Sequence, residues 1–361
     1  MTNEESRVKR LLSYSIIAAV ALLSLSSCEH DEPGVSIKPV NERTVLVLND
    51  NGEIYNLDGE LVKTLPNCAG VTQIIVDGDN YFVSGVSDKD RVGYWKNGKW
   101  CTLHVDFIDD VDHWAFGIGK WDYYIFLLDY PYVLKNSGLF RLKDSEYFYP
   151  AHHGISVSEG ECYVVGSELA DPLNGGFDML PILYTEHKGV YEKEELPMLD
   201  GTTNSECSAI FAYDRKHFLA GGYSGREPVI WHDRQIQALQ RKYECDDDGQ
   251  TFPLGIVEAI ALCDGHIYAG GFEYYDREAE KQIATLWCDG VPQSLAIGPD
   301  KEDYFSSKVN EIEVYGSDVY VLTSEMYNGP DDSLISFSIV WLNGQMLKVF
   351  EGIRALSIAV L

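Results

Sequence analysis

Aromatic rings lie beside carboxylates in several long polar segments of the chain, and this combination suits the binding of sugars. A ring packs on the C–H face of a sugar, and a carboxylate accepts hydrogen bonds from its hydroxyls. The segments are 129–136, 168–179, 222–228, 272–281 and 325–332. The candidate ligand-binding residues within them are Tyr130, Tyr132, Phe177, Tyr223, Arg226, Tyr274, Tyr275 and Tyr327.

Long segments between strands are where function tends to lie on a rigid scaffold. We therefore expect these rings to surround one face of the protein. At least one of the adjacent Tyr274 and Tyr275 is expected to face solvent, because their segment is too charged to be core. The alternative, that the rings pack within their own segments, stays open.

Residues with a pattern typical of catalysis are few. Asp109 and Asp112 could form an acid–base pair of the glycosidase kind, but the separation that decides this depends on the fold. The motifs GxSxG and HExxH are absent from the sequence. We therefore predict no catalytic residue and no cofactor, and an enzyme remains the alternative to a binding protein.

Two short segments carry side chains that can ligate metals. Asp246-Asp247-Asp248 offers the hard oxygens that Ca²⁺ prefers, but the EF-hand spacing is missing, which favours a solvated acidic loop. His152 and His153 are adjacent, so in a strand only one of them would face the centre of the fold. Metal binding stays unknown from the sequence.

The first 28 residues have the features of an export signal. Arg7, Lys9 and Arg10 form a basic region, and the apolar stretch 11–23 is too short to span a bilayer. It ends in Leu25-Ser26-Ser27-Cys28, which resembles the lipobox of bacterial lipoproteins. The resemblance implies that 1–27 is a signal peptide and that Cys28 carries acyl chains, which anchor a protein stably to a membrane.

The residues after Cys28 suggest where the anchored protein lies. Glu29-His30-Asp31-Glu32 resembles the acidic motif that directs lipoproteins of Bacteroidetes-like bacteria to the cell surface. Residues 28–42 contain Pro33, Gly34 and Pro39 and read as a flexible tether. We expect an outer-membrane lipoprotein, on either the cell surface or the periplasmic face.

Composition excludes one class of partner. The chain has 57 acidic and 28 basic residues and a formal net charge of −29, which repels phosphate backbones. We therefore expect no nucleic-acid partner. Seven cysteines besides Cys28 form no CxxC pair and are odd in number, and in a chain of this size they are expected to be free thiols in apolar strands.

One unit of four short strands recurs from residue 43 to residue 361. In each unit the first strand is apolar and is followed by a turn. The second and third strands each carry an aromatic residue, and a hairpin turn leads from the third strand to a short fourth strand. The period is roughly 40–56 residues, which is typical of propeller blades. The second-strand rings are Phe82, Tyr124, Tyr163, Phe218, Tyr268 and Tyr320. The third-strand rings are Tyr55, Trp95, Phe140, Tyr184, Trp231, Trp287 and Trp341. We interpret both sets as core.

The ends of the chain complete the pattern. The repeat begins with a second strand at 43–48 and stops after a lone first strand at 354–361. Together these pieces make one unit, which would seal the ring and leave no open sheet edge. The prediction is an all-β fold, a seven-bladed β-propeller over 43–361 with four antiparallel strands per blade, closed by a blade shared between the N- and C-termini.

The repeat resembles known propeller units. Its order of apolar strand, turn and Tyr-containing strand ending in Gly resembles the Kelch and galactose-oxidase-type repeat, and Gly221-Gly222 and Gly270-Gly271 match the double glycine of that repeat. The third-strand ring followed by Asn-Gly resembles the repeats of uncharacterised Bacteroides-type propeller lipoproteins. This resemblance implies fold and location, because fold alone does not fix activity.

Two functional hypotheses follow. The first is a membrane-anchored extracytoplasmic binding or interaction module that recognises a glycan or protein partner through its long-loop face. The second is a carbohydrate-active enzyme, a glycosidase or lyase, using Asp or Glu at the channel mouth. Two carboxylates about 5–10 Å apart in a deep pocket would favour the enzyme. A subunit of a larger outer-membrane assembly is a third possibility and predicts an exposed apolar patch.

Overall fold

The computed structural model describes residues 43–89, 92–102, 125–127, 132–135, 138–142, 147–170, 178–187, 189–243, 253–276, 281–297, 304–329 and 333–361. The chain divides into two units, Met1–Pro39 and Val40–Leu361, and all described residues belong to the second. Their regular secondary structure is entirely β-strand, which confirms the all-β prediction. In these ranges no helix has the length and apolar character needed to cross a membrane. Cys28, the Asp109–Asp112 pair and the Asp246–Asp248 run lie outside them.

The described strands form antiparallel units that follow one another along the chain, as the repeat predicts. The first sheet contains β1 (Val45–Asn49), β2 (Glu53–Tyr55) and β3 (Leu61–Thr64). The next contains β4 (Cys68–Asp77), β5 (Asn80–Ser87), β6 (Val92–Lys96) and β7 (Lys99–Thr102). A three-stranded sheet follows with β8 (Ile125–Leu127), β9 (Tyr132–Lys135) and β10 (Gly138–Arg141).

Four further units complete the described part of the chain. The first of them has β11 (Phe148–Ser158), β12 (Glu161–Leu169), β13 (Met179–His187) and β14 (Val190–Glu195). The second has β15 (Ser205–Ala212), β16 (Phe218–Ser224), β17 (Glu227–His232) and β18 (Gln235–Ala238). The third has β19 (Gly255–Cys263), β20 (His266–Asp276), β21 (Lys281–Cys288) and β22 (Val291–Ser294). The fourth has β23 (Tyr304–Tyr315), β24 (Asp318–Asn328), β25 (Leu334–Leu342) and β26 (Gln345–Glu351), and the last strand is β27 (Ala355–Val360).

The two ends of the strand series share one sheet. β27 pairs antiparallel with β1, and the sheet order is β27-β1-β2-β3. Beyond the strands, Thr44 and Leu361 exchange backbone hydrogen bonds of 3.2 and 2.8 Å. This pairing, which the sequence predicts, removes the open edges that β1 and β27 would otherwise present.

The first strands of successive units lie next to one another around a common centre. β11 contacts β15, β15 contacts β19, β19 contacts β23, β23 contacts β27, and β27 contacts β4. The other strands of each unit extend outward in order from this inner set. Four-stranded antiparallel sheets arranged radially in this way form a β-propeller.

Most described rings of the two predicted aromatic columns are buried, whereas Tyr55, Phe140 and Tyr268 are only partly buried. Phe218 is buried but lies one position before its predicted column, where Leu219 takes the place. Trp95, Trp231 and Trp287 are fully buried. Each indole Nε1 donates to a backbone carbonyl just after the fourth strand of the preceding unit, on Pro66, Pro197 and Gln240 respectively, at 3.1, 2.7 and 2.8 Å. These rings therefore fill the space between units and also tie neighbouring units together.

The hairpin turns have the backbone conformation that their sequences predict. Asn97, Asp289 and Asn343 have φ of 48–50°, and the glycine that follows each has φ of 76–83°. Two consecutive left-handed residues match the right-handed twist of the flanking strands, which favours Asn-Gly and Asp-Gly. In each turn Oδ1 of the Asn or Asp accepts the backbone N–H at the start of the second strand at 2.9 Å.

Two glycines of the Kelch-like pairs have a steric role. A Cβ on Gly222 would overlap the carbonyl oxygen of Glu206, and one on Gly271 would overlap that of Ile256. The first strand therefore approaches the second more closely than any side chain allows.

The described cysteines are free, as the sequence predicts: Cys68, Cys101, Cys162, Cys207, Cys263 and Cys288. Burial raises the pKa of the Cys162 and Cys207 thiols well above the ordinary value. Both therefore behave as small apolar core residues.

Candidate functional site

Five of the described first strands contain a β-bulge at the same place in the repeat. Val71 and Gln73, for example, pair with the consecutive residues Gly85 and Ser84, so Thr72 is the extra residue of the bulge. A bulge of this kind redirects a side chain out of the regular alternation. The bulge residues are Thr72 in β4, Ser208 in β15, Glu258 in β19, Asn310 in β23 and Leu356 in β27.

All five bulge residues line one cavity of about 590 Å³ at the centre of the ring, which we call the axial cavity. It is lined by the beginnings of the first strands, such as Val71 in β4 and Glu206 in β15. A second cavity of about 400 Å³ is lined by later parts of the same strands, such as Ile75. The axial cavity thus lies at the end where the crossings between units enter, on the face that the sequence assigns to the long segments.

The axial cavity is lined by charged and polar side chains. Glu258 Oε2 lies 2.9 Å from Lys308 Nζ, so a carboxylate and an ammonium face the cavity as an ion pair. Glu206 accepts a hydrogen bond of 2.6 Å from the Tyr223 hydroxyl, which fixes its carboxylate at the wall. The ring of Tyr149, which also lines the cavity, is 55% exposed. Such a lining offers donors, acceptors and a ring face to a polar ligand.

His153 is another lining residue. It lies in the irregular part of β11, where residues 151–154 interrupt the pairing with β12. His153 thus faces the centre, as expected for one of the two adjacent histidines, and the side chain of His152 lies outside the described part of the structure. Among the described residues His153 belongs to no cluster of three metal-ligating groups.

Two residues predicted to be exposed are buried, and that expectation is wrong. Tyr223 and Tyr327 are each 4% exposed. Segments 222–228 and 325–332 begin within strands, because β16 continues to Ser224 and β24 to Asn328. The Tyr223 hydroxyl bonds to Glu206, and burial raises its pKa far above the ordinary value. The Tyr327 hydroxyl donates to Glu325.

Tyr274 and Tyr275 are partly exposed, in line with the expectation that at least one faces solvent. Both lie in β20, so most of the predicted loop 272–281 is strand. The Tyr275 ring lies 5.9 Å from the rings of Tyr243 and Tyr304, and Tyr304 lies 5.7 Å from Tyr327. The structure thus brings Tyr275 and Tyr327 together in a row of packed rings.

Of the remaining predicted site residues, only Arg226 has a described side chain. Arg226 lies in the turn between β16 and β17, and its carbonyl accepts the Leu254 N–H at 2.8 Å. Tyr132 lies in β9, where its backbone pairs with Arg141. Tyr130 and Phe177 lie outside the described residues. None of the eight predicted ligand-binding residues is among those that line the described part of the axial cavity.

Several carboxylates that sequence reasoning overlooked are buried within the strands. Glu273 accepts the Lys242 N–H at 2.8 Å, and Glu325 accepts the Ile297 N–H at 3.0 Å. Burial raises the pKa of Glu273. Each carboxylate thus binds the backbone of the segment that connects the preceding unit to its own unit, which is a structural role.

Glu311 is a buried carboxyl group that accepts hydrogen bonds from two neighbouring first strands. Its Oε2 accepts hydrogen bonds from the Ser357 hydroxyl and from the Ile358 N–H at 2.7 Å, and its Oε1 accepts from Gln73 Nε2 at 3.0 Å. It joins β4, β23 and β27 at the closure of the ring. Burial raises its pKa to about 7.

The bulge residues have a signal in the sequence that could have identified them. In GVTQIIV, SECSAIF, VEAIAL and VNEIEV a polar residue interrupts the apolar first strand at the same place in the repeat. These are Thr72, Ser208, Glu258 and Asn310. These four units thus direct two hydroxyls, a carboxylate and an amide towards the centre.

Comparisons with known proteins provide no family for this chain. No family model matches it, and no curated protein matches it. Similar solved structures include a subtype N11 neuraminidase-like protein of A/flat-faced bat/Peru/033/2010, 12% identical over 83% of this chain and 96% of that one, with a TM-score of 0.44. Apo AztD from Citrobacter koseri is 10% identical over 88% and 98%, with a TM-score of 0.45. An exo-1,5-α-L-arabinanase from a bovine ruminal metagenomic library is 11% identical over 79% and 99%, with a TM-score of 0.35. Similarities this distant support no conclusion about function, so the function has to be inferred from the residues of the site itself.

Proposed function

We propose that the protein is a membrane-anchored extracytoplasmic binding protein whose axial cavity takes a hydroxyl-rich ligand of the oligosaccharide class. The observation that carries this proposal is the convergence of the five bulge residues on one cavity. Thr72 and Ser208 supply hydroxyls, Asn310 an amide and Glu258 a carboxylate, which together donate to and accept from ligand hydroxyls. A protein ligand that inserts a polar loop is the alternative occupant.

The proposed anchor is the lipid on Cys28, and the proposed location is the outer membrane. The support is the sequence of residues 1–32 alone. Replacing Cys28 by Ala should move the protein from the detergent-extracted membrane fraction to the soluble envelope fraction, or leave its leader uncleaved. A Cys28→Ala protein that is correctly cleaved and still needs detergent would contradict the anchor.

We also propose that the ring has seven blades. Six sets of four strands, counting β27 with β1–β3, and the three-stranded sheet β8–β10 support this number in the described residues. In this assignment β8, β9 and β10 are the second, third and fourth strands of the remaining blade. A crystal structure in which another number of sheets surrounds the channel would refute it.

A carbohydrate-active enzyme is the second candidate function. Glu206 and Glu258 both line the axial cavity, and a pair of carboxylates is what glycoside hydrolysis requires. Each of them already has a partner, because Glu206 accepts from Tyr223 and Glu258 pairs with Lys308. Carboxylates that already have partners favour a binding role over catalysis. Release of reducing ends from a bound oligosaccharide would instead favour the enzyme.

The proposed function can be tested by screening the protein without residues 1–28 on a glycan array, followed by calorimetric titration of each hit. Replacing Ser208 and Asn310 together by Ala should weaken binding at least tenfold, because each lost hydrogen bond is worth about 1 kcal/mol. Glu192→Gln is the matched control, since Glu192 is exposed on β14 away from the cavity. The control should melt like the wild type. The double variant should stay folded but melt at a lower temperature, because Asn310 Nδ2 also donates to the Ala355 carbonyl at 3.0 Å.

Two results would contradict the proposal. Equal affinities of the wild type, the double variant and the control would place the ligand outside the axial cavity. Absence of any glycan ligand in the array and in titration would remove the ligand class and leave the protein-partner alternative.

A further inference from the structure

A histidine, a cysteine and an aspartate meet where β19 turns into β20 and β21 turns into β22. The ligand atoms of His266, Cys288 and Asp289 lie within 4.8 Å of one another. His266 Nδ1 is 2.7 Å from Asp289 Oδ2. The side chains of His266 and Asp289 are 57% and 51% exposed, so an ion from solvent reaches them without any rearrangement of the fold.

The same turn in two other units shows which part of this arrangement is structural. Asn97 and Asn343 occupy the place of Asp289, and each donates from Nδ2, at 2.7 Å, to the residue in the place of His266. Those residues are Asn80 and Asp318. Asp289 keeps the structural role of its position through Oδ1, and its Oδ2 is directed at His266.

In these two turns the three positions do not carry metal ligands together. Cys288 pairs with Tyr268 across the ladder, and the matching partners of Phe82 and Tyr320 are Lys96 and Leu342. In place of His266, Cys288 and Asp289 one unit therefore has Asn80, Lys96 and Asn97, and the other has Asp318, Leu342 and Asn343. The hairpin therefore packs without a histidine, a cysteine and an aspartate at these three positions.

The unit of β15–β18 does carry metal ligands at the three positions, as His217, His232 and Asp233. However, His217 bonds to Asp214 and His232 to Tyr213, so among the described residues only His266, Cys288 and Asp289 converge.

We propose that His266, Cys288 and Asp289 form a binding site for a divalent transition-metal ion of the zinc type. Imidazole, thiolate and carboxylate are the ligands that such ions take in proteins, and three protein ligands leave a fourth position for water. An ion bound by Nδ1 and Oδ2 replaces the hydrogen bond between them. At metal–ligand distances of about 2 Å in tetrahedral geometry the two atoms move apart from 2.7 Å to about 3.3 Å, and the hydrogen moves to Nε2. Cys288 binds as the thiolate and gives one proton to solvent, so affinity rises with pH.

Two further features support this site. Cys288 lies opposite Tyr268 in the strand ladder, which places its sulfur next to the turn. The formal charge of −29 raises the concentration of cations near the whole surface. The site lies after the end of β19, whereas the axial cavity is lined by the beginning of that strand, so this proposal does not depend on the proposed function.

The test is a titration of the full mature chain with Co²⁺ as a spectroscopic probe and with Zn²⁺ in a calorimeter. Three single variants introduce residues that equivalent turns already carry: His266→Asn, Cys288→Leu and Asp289→Asn. Because other units fold with these residues, the variants should melt near the wild-type temperature. His217→Asn is the matched control, since it removes an exposed His–Asp pair, with Asp214 at 2.7 Å, that lies outside the cluster.

The expected result is one bound ion per chain and a thiolate-to-cobalt charge-transfer band in the near ultraviolet. The band should disappear in Cys288→Leu, and the affinity for Zn²⁺ should fall on the order of 10–100-fold in His266→Asn and Asp289→Asn. The control should bind like the wild type. A wild type without the band, or a band that persists in Cys288→Leu, overturns the site. Zn²⁺ affinity that is unchanged in all three variants also overturns it and shows diffuse binding to the acidic surface.

Discussion

Replacing Glu311 by Gln tests whether the carboxyl group at the closure of the ring makes stability depend on pH. Glu311 is 7% exposed, and its pKa rises from the ordinary 4.5 to about 7, mainly because burial penalises the charged form. Between these two values the native state holds a proton that the unfolded state has lost. The free energy of unfolding therefore decreases as the pH rises from 4.5 through 7.

The magnitude follows from the two pKa values. Each pH unit between them is worth about 1.4 kcal/mol, so Glu311 should cost about 3 kcal/mol of stability at pH 8 relative to pH 4.5. Gln keeps the shape of the side chain and carries no charge. Its oxygen can accept from Ser357 and Ile358, and the amide of Gln73 can turn to accept from the new NH₂ group.

The assay is reversible urea unfolding of the wild type and Glu311→Gln at several pH values from 4.5 to 8. The quantity of interest is the difference between the two free energies of unfolding, because the titration of all other groups cancels in it. As the pH rises from 4.5 to 8, the variant should become more stable relative to the wild type by about 3 kcal/mol. Glu192→Gln, on the exposed face of β14, should give a constant difference. A constant difference for Glu311→Gln as well would show that the buried carboxyl does not change its pKa on folding.

Three other perturbations have defined outcomes. Deleting 354–361 removes β27, and loss of the buried Ile358 and Val360 alone should cost about 4 kcal/mol; a deletion variant that melts like the wild type would mean that β1 needs no partner. Gly271→Ala places a Cβ against the first strand and should cost about 3 kcal/mol in chemical denaturation, and an unchanged unfolding midpoint would refute the close approach. Cys162 and Cys207 should resist a thiol reagent in the native protein and react after unfolding in urea, so rapid labelling of either residue in the native state would contradict their burial.

The parts of the fold that sequence could predict depend on local rules. Trp95 and Trp231 recur at one place in the repeat because a large ring there fills the space between units. Asn97-Gly98 predicts a tight hairpin because few other pairs adopt two left-handed conformations. The pairing of β1 with β27 follows from the incomplete units at the two ends and from the cost of open sheet edges.

The ends of the long second strands could not be predicted in the same way. Tyr223 and Tyr327 lie among glycine and charged residues that are typical of loops, yet both rings are buried. Each hydroxyl bonds to a glutamate, so one tyrosine satisfies a polar partner and fills the core at once. Composition does not distinguish such a tyrosine from an exposed one.

The axial cavity depends on register, which composition does not reveal. Glu258 faces the cavity because one extra residue interrupts the pairing of β19 with β20. Without the bulge the regular alternation would direct that side chain elsewhere. The cavity also collects residues from strands that are far apart along the chain, so only the closed ring shows them together.

Because of the bulges, five of the residues that line the cavity stand outside the regular pairing of the strand ladder. The bulge residue takes no part in the backbone ladder of its strand, so exchanging Ser208 for another polar residue changes one wall of the cavity and leaves the pairing around it intact. Thr72 and Asn310 also hydrogen-bond within the protein, to Ser84 at 2.8 Å and to the Ala355 carbonyl at 3.0 Å, so exchanging either of them also removes a contact of the scaffold. Under the proposed function, single substitutions at the five positions would change the ligand, and for protein engineering these positions form a compact combinatorial library on one scaffold.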